Sequence, residues 1–443
     1  IGVNKNKEKA AKYFKKPADQ GHLASINRYS LLVLNGDGIR QNKKEAAKYL
    51  QLAADKGDTD SMNKLATMLR DGDGIEMNKI DASSYYREAA DKGKVSSMNS
   101  YADMLWEGDG IRKNEKKAVQ YYKMSADKGN LDSMWKIGNI LSKGEVIEQN
   151  KEEAANYYKR AAYLGHAESM NSYASMLFEG DGIKQDKQIA VQFYELSVGK
   201  KCINAYHNYA LILYKGDGKA QDKKEAANYY KLAADKGSEI SMNNYALMLE
   251  AGDGIKQDRK EAARYYKLAI DKGYAMAFHN YAKFLLDEEK TKNNRMEAAK
   301  YFKQAADQDY APSMYSLAQM LFNGDGIVLN KKKAAHYYEK AANKDHVESM
   351  HCLAQMLYNG DGIVLNKKKA AHYYEKAANK DHAKSKYCLA KMFFYGDGIE
   401  KDKKKAAQYY EKAANKDHVE SMYCLAKMLF NGDGIVQDKA KSN

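Results

Sequence analysis

Asn35-Gly36-Asp37-Gly38-Ile39, followed by Asn42 and a run rich in alanine and tyrosine, decides how the chain is read. Its first glycine returns at 72, 108, 144, 180, 216, 252, 324, 360, 396 and 432, and Glu288 alone breaks the series. The spacing is 36 residues with no insertion or deletion. A fixed period in this range marks stacked supersecondary units, because a single unit cannot bury its own apolar face.

One repeat shows the anatomy. After Asn42 come Ala46, Tyr49, Leu50, Ala53 and Ala54, apolar positions at helical spacing, so 42–54 reads as an amphipathic helix, here helix B. Asn or Asp stands at position 6 and at every thirty-sixth residue to 438, Asn294 included, as expected of a side chain that accepts a bond from an orphan backbone N–H. Gly57, and Gly21, Gly93, Gly129, Gly165, Gly237 and Gly273 in other copies, suit the left-handed residue that closes helix B. Asp309, Asp345, Asp381 and Asp417 take that place in later copies and tolerate the conformation. A second helix, helix A, follows with Met62, Leu65, Ala66 and Leu69 on one face and stops at Gly72-Asp73-Gly74, after which Ile75 can re-enter the core. The alanine columns of Ala46 and Ala66, the latter broken only by Ser30 and Gly138, let helices approach closely. Tyrosine pairs such as Tyr85-Tyr86 fill the remaining space, and Met62, Met98, Met134, Met170 and Met242 form an inter-repeat core stripe.

This order of residues resembles the Sel-1-like repeat family, relatives of tetratricopeptide repeats, over essentially the whole chain. The resemblance implies an all-α, right-handed superhelical α-solenoid of twelve antiparallel helix pairs, a single solenoid spanning 1–443. The family's usual Leu-Gly in the first helix is mostly Tyr-Ala or Leu-Ala here, as in Tyr101-Ala102, and its tyrosine two residues later is usually leucine. Ile137-Gly138 comes nearest the family pattern. Ile1-Gly2-Val3 followed by Asn6 aligns with Asp37-Gly38-Ile39 followed by Asn42, and the chain stops just after Asp438. Both ends therefore read as cuts through a longer array.

Three places depart from the pattern. Pro17 lies inside the first helix B and is expected to kink or fray it. Gly144-Glu145-Val146 lacks one turn glycine; Glu288-Glu289-Lys290 lacks both, so altered curvature or mobility is expected there. Residues 323–346 and 359–382 are identical, which reads as recent duplication serving array length.

Composition narrows the function classes. Mean hydropathy is -0.76, and no apolar run approaches the ~20 residues of a membrane span. Cys202, Cys352, Cys388 and Cys424 are too few for a disulfide framework. Three of them sit one repeat apart, roughly 10 Å given helix packing distances, against a reach of about 7 Å for a disulfide. Reduced thiols in a cytosolic or nuclear compartment are expected, and the cytoplasm is the location taken. Net charge is +14, but lysines alternate with acids, as in Lys44-Glu45, so a solvated mixed-charge face is expected and nucleic acid is not the expected partner.

Several tempting chemistries fail on spacing. Asp71-Gly72-Asp73-Gly74 resembles a calcium loop, but the first ligand would fall at Leu69 and no glutamate closes the loop. The glycines follow a helix and lack the ending of a phosphate loop. His346, His382 and His418 recur one repeat apart, too far for shared zinc ligation, and are read with His336 and His372 as surface residues. No nucleophile, base and acid recur together, so no catalytic, cofactor or metal site is expected. One branch of the family binds or hydrolyses β-lactams but carries paired cysteines that this chain lacks.

The informative polar series lies on helix A opposite its core face: Asn27, Asn63, Asn99, Trp135, Asn171, His207, Asn243, His279, Tyr315, His351, Tyr387 and Tyr423. In related solenoids the first helices line the concave surface, and the resemblance makes the series from Asn63 to Tyr423 the candidate partner-binding face. Asparagine can bond a peptide backbone through both its groups; the competing reading is that these residues bond neighbouring repeats. Trp106, Phe178, Tyr214, Phe322, Tyr358, Phe394 and Phe430, just before the turns, either anchor a partner or cap the core edge. The expected function is a non-enzymatic scaffold or adaptor for other proteins. The alternatives are a component decorating an acidic assembly such as a cytoskeletal filament through lysines of helix B, or the interaction region of a larger signalling protein such as a kinase.

Overall fold

The computed structural model describes residues 6–288 and 291–433; Ile1-Gly2-Val3, Glu289-Lys290 and Asp438 lie outside the described residues. The described residues hold twenty-four α-helices and no strand, from α1 (Lys7–Asp19) to α24 (Val419–Asn431). Helices B and A alternate, giving twelve pairs, and all but two helices are 13 residues long.

The turn explains the two glycines separately. Gly72 closes α4 (Thr59–Asp71) at φ 66°, a left-handed cap whose N–H bonds Met68 O. Gly74, at φ 77°, faces the start of α3 (Lys43–Asp55): a Cβ there would sit 2.2 Å from Lys43 Cβ. One glycine meets a conformational demand; the other lets the next repeat's turn approach the preceding helix B.

The capping prediction holds for Asn42, Asn78, Asn114, Asn150, Asp186, Asp222, Asp258, Asn330, Asn366 and Asp402, whose side chains accept the N–H three residues on. Asn294 is a correction. Without turn glycines, Glu288 ends α16 (Ala275–Asp287) extended rather than left-handed. The next helix, α17 (Lys292–Asp307), starts early with Thr291 as its cap, so Asn294 lies inside its first turn. Pro17 does not end the first helix B: α1 runs through it to Asp19. Helix B closes on left-handed residues as expected, at Gly57 (φ 88°) and at Asp309, Asp345, Asp381 and Asp417; Lys201 (φ 64°) does the same and was not foreseen.

The chain divides into two compact units, 1–229 and 230–443. In the first, a core runs from Ala66 to Ala226 beside smaller clusters around Ile26 and Leu50. Apart from Ala10 and Ala426 in the end repeats, the alanines equivalent to Ala46 and Ala66 have no exposed surface, and Met62, Met98 and Met134 are buried beside them. Each such methionine or leucine contributes ~1.5–3 kcal/mol of burial. Helix A tyrosines meet the first tyrosine of the following helix B edge-on, with Tyr101 and Tyr121 centroids 4.9 Å apart at 87°. The second unit repeats the scheme from Ala234 to Met392, with Tyr265, Tyr266 and Phe302 fully enclosed.

Candidate interaction surface

The helix A series forms a seam between successive repeats. Asn27 Oδ1 accepts from Ser61 Oγ at 3.1 Å, Asn63 Oδ1 from Ser97 Oγ at 2.8 Å and Asn99 Oδ1 from Ser133 Oγ at 2.9 Å. His279 Nδ1 lies 2.9 Å from Ser313 Oγ, and His351 Nδ1 lies 3.0 Å from Ser385 Oγ. Each bond reaches 34 residues forward to a serine in the first turn of the next helix A. Where alanine replaces that serine, at 205 and 277, an asparagine supplies the donor: Asn208 Nδ2 reaches Asn171 Oδ1 at 2.9 Å and Asn280 Nδ2 reaches Asn243 Oδ1 at 2.8 Å. Trp135 donates its indole N–H to Ser172 Oγ at 3.2 Å. The neighbour-bonding reading is therefore the geometry found.

The serines are the functional residues that sequence reasoning passed over. Ser97, Ser133, Ser313 and Ser385 are fully buried and carry the seam. Their signal was a polar residue recurring just before the buried methionine.

The histidines after the left-handed aspartates are corrected from surface residues to caps. His346, His382 and His418, like His166, accept the N–H of the serine three residues on and begin helix A. His346 and His418 keep only 18% and 13% side-chain exposure. Their rings cover the seam: Tyr315 and His346 centroids lie 4.9 Å apart, His351 and His382 4.9 Å, and Tyr387 and His418 5.0 Å. His336 and His372 are exposed, as expected. Burial holds the His279 and His351 imidazoles down to about 4, and lowers His207 as well.

The predicted ladder is thus unevenly accessible. Asn243 is fully buried, and Asn63, Asn99, Trp135, Asn171, His207, His279, Tyr315, His351 and Tyr387 are half-buried. Tyr423, in the last described helix A, is 70% exposed.

A second recurring contact joins helix B to the following turn. The first lysine of helix B bonds the turn aspartate 30 residues on: Lys79 to Asp109 at 2.5 Å, Lys151 to Asp181 at 2.6 Å, Lys187 to Asp217 at 2.8 Å and Lys331 to Asp361 at 2.6 Å. Arg295 serves the same way with Asp325 at 2.8 Å, and Arg259 pairs with Glu288, so the residue that breaks the glycine pattern keeps the acid. The aspartate of Gly-Asp-Gly is therefore an inter-repeat clamp as well as a turn residue. Part of the lysine excess is structural, although Lys44, Lys332, Lys368 and Lys404, one position later, are exposed.

Cys202, Cys352, Cys388 and Cys424 are free, and burial pushes the Cys352 and Cys388 thiols up. No helix among the described residues is long and apolar enough to cross a membrane, and no group of three metal-ligating side chains occurs among them.

Helix pairs stacked at one fixed period and tied by the same two contacts define a paired-helix solenoid. The Sel1 repeat model matches thirteen consecutive segments, from 1–22 and 23–58 to 419–442, and the chain belongs to the Sel1 repeat family. It is similar to a protective antigen present in uropathogenic Escherichia coli strains displaying an SLR fold, at 22% identity and TM-score 0.64, over 89% of this chain and 85% of that one. It is also similar to a Sel1 repeat protein from Oxalobacter formigenes, at 23% identity and TM-score 0.51, over 55% of this chain and 96% of that one. These likenesses concern the fold. No curated protein matches the chain.

Proposed function

We propose that this protein is a non-enzymatic, cytoplasmic scaffold or adaptor that holds protein partners on the helix A face of its repeats. The observation that carries the reading is the helix A ladder itself. Asn63, Asn99, Trp135, His279 and His351 bond the next repeat, while the rings of Trp135, Tyr315 and Tyr387 stay half-exposed. Rigid, pre-positioned aromatic faces lose little freedom on binding, which favours affinity. The test is affinity capture from the native extract with the natural chain and with a Trp135→Ala, Tyr315→Ala, Tyr387→Ala variant of unchanged helicity. Partners retained at high salt by the first and lost by the second support the reading. Identical retention by both removes it.

The exposed Lys44, Lys332, Lys368 and Lys404 favour a second reading, attachment to an acidic assembly such as a filament. Changing these four to glutamine would then abolish binding, and salt would weaken it from the outset.

A further inference from the structure

Where helix B meets the following turn, one copy departs from the rest. Between α17 and the turn 323–328 lies a hollow of about 860 Å³, within the ~300–1,000 Å³ of pockets that enclose small ligands. Lys292, which lines it, belongs to the turn that α17 adds by starting early. Met296, Ile327 and Val328 form its apolar part, and Met296 and Val328 are 43% and 85% exposed. Most copies carry a charge at both of these places. Lys44, Lys224, Lys260 and Lys332 correspond to Met296, and Arg40, Glu76, Lys184 and Lys256 to Val328. Two positions 32 residues apart have thus both become apolar, and both line the same hollow.

The charges around this apolar part are almost all of one sign. Lys292, Arg295, Lys300 and Lys303 line the hollow against a single acid, Asp325, which Arg295 holds at 2.8 Å. Lys292, Lys300 and Lys303 form no ion pair among the described residues. Glu297 and Asp307 of the same helix do not line the hollow, and Glu297 acts on Lys267 and Tyr301 instead. The corresponding hollow beside α21 (Lys367–Asn379), of about 530 Å³, lacks the combination. There Lys368 stands for Met296 and Glu375 for Lys303.

We propose that the hollow beside α17 takes an acidic segment of a partner protein. One aliphatic side chain sits on Met296, Ile327 and Val328, and flanking carboxylates meet Lys300 and Lys303. Apolar burial supplies an attraction that salt does not screen, and the unpaired ammonium groups select acidic over basic segments. A phosphate alone would leave the apolar part wet; an uncharged apolar segment would leave the ammonium groups without a counter-charge. Neither the helix A ladder nor Lys44, Lys332, Lys368 and Lys404 lines the hollow, so the inference goes beyond both readings above.

The test uses the full chain and fluorescein-labelled glycine-serine peptides with a central Glu-Leu-Glu, Gln-Leu-Gln or Glu-Ser-Glu. Anisotropy should show saturable binding of the first, with the other two at least tenfold weaker. The Met296 methyl resonance, assigned with Met296→Leu, should shift on binding, while that of Met98 in the other unit stays in place. Two variants borrow residues that the chain itself uses at these places: Met296→Lys, as at Lys332, and Lys303→Glu, as at Glu339. Each should keep the natural helicity and bind at least tenfold more weakly. No saturable binding, equal binding by the three peptides, binding that both variants leave unchanged, or an unmoved Met296 methyl would overturn the proposal. Retention of the chain by phosphatidylserine vesicles, abolished by Met296→Lys, would also overturn it by making the hollow a membrane contact.

Discussion

Acidification should loosen the second unit at its histidine seams. His279 and His351 fall from about 6.5 unfolded to about 4 folded, first because burial penalises the charged ring and then because Lys283 and His346, or His382 and Lys384, repel it. A depressed folded value means that the unfolded chain binds more protons throughout the window between. Stability is therefore complete above about pH 6.5 and falls as pH drops toward about 4. At 1.36 kcal/mol per unit, the shift corresponds to about 3 kcal/mol per histidine, or about 2 after allowing for the part of each ring that water reaches. Two kcal/mol is roughly a thirtyfold change in local opening. The proton does not simply delete the Ser313 or Ser385 contact, since a hydroxyl can accept as well as donate; the cost is desolvation and repulsion. The control comes from the chain itself: His279→Asn and His351→Asn install the residue that earlier repeats use at this place. Hydrogen exchange of 275–287 and 347–359, corrected for intrinsic rate and followed from pH 7 to pH 4.5, reads the local equilibrium. Protection should drop roughly thirtyfold in the natural chain and much less in the double variant. The same drop in both would refute the reasoning.

Other expectations are separable. Gly93→Ala meets nothing within 4 Å and should cost only its left-handed strain, ~1–2 kcal/mol, whereas Gly110→Ala adds a 2.2 Å contact with Lys79 Cβ. Denaturant melts in which the two cost the same would contradict the close-approach argument. Thr291→Ala should lower protection at the start of α17 by ~0.5–2 kcal/mol, more than Asn294→Ala does. Exchange data with the reverse order would restore the cap to Asn294. The raised Cys352 and Cys388 thiols should alkylate slowly near pH 8 and speed up in urea, and rates matching a free thiol would show that they are not buried.

The repeat, both helices, the glycine turns and the caps were legible because each follows from a local rule applied at a fixed spacing. Asn294 shows the limit: its type and register were right, but loss of the two glycines upstream let the helix begin one turn earlier. The seam was less legible. A serine next to a buried methionine looks like packing until the asparagine 34 residues earlier is placed against it. The clamp was hidden for the same reason, since Lys79 and Asp109 are partners only after two repeats have stacked. The histidines were misjudged because a cap and a surface residue share the same sequence position.

The clamp has a genetic consequence. Most clamps join residue types that recur with the period, so removing or adding one whole repeat gives Lys331, for example, an equivalent aspartate from another copy. The identical stretches 323–346 and 359–382 are what such an exchange leaves behind. Copy number is then a trait that recombination can change in single steps without breaking the fold, so length can vary between lineages faster than the seam residues can.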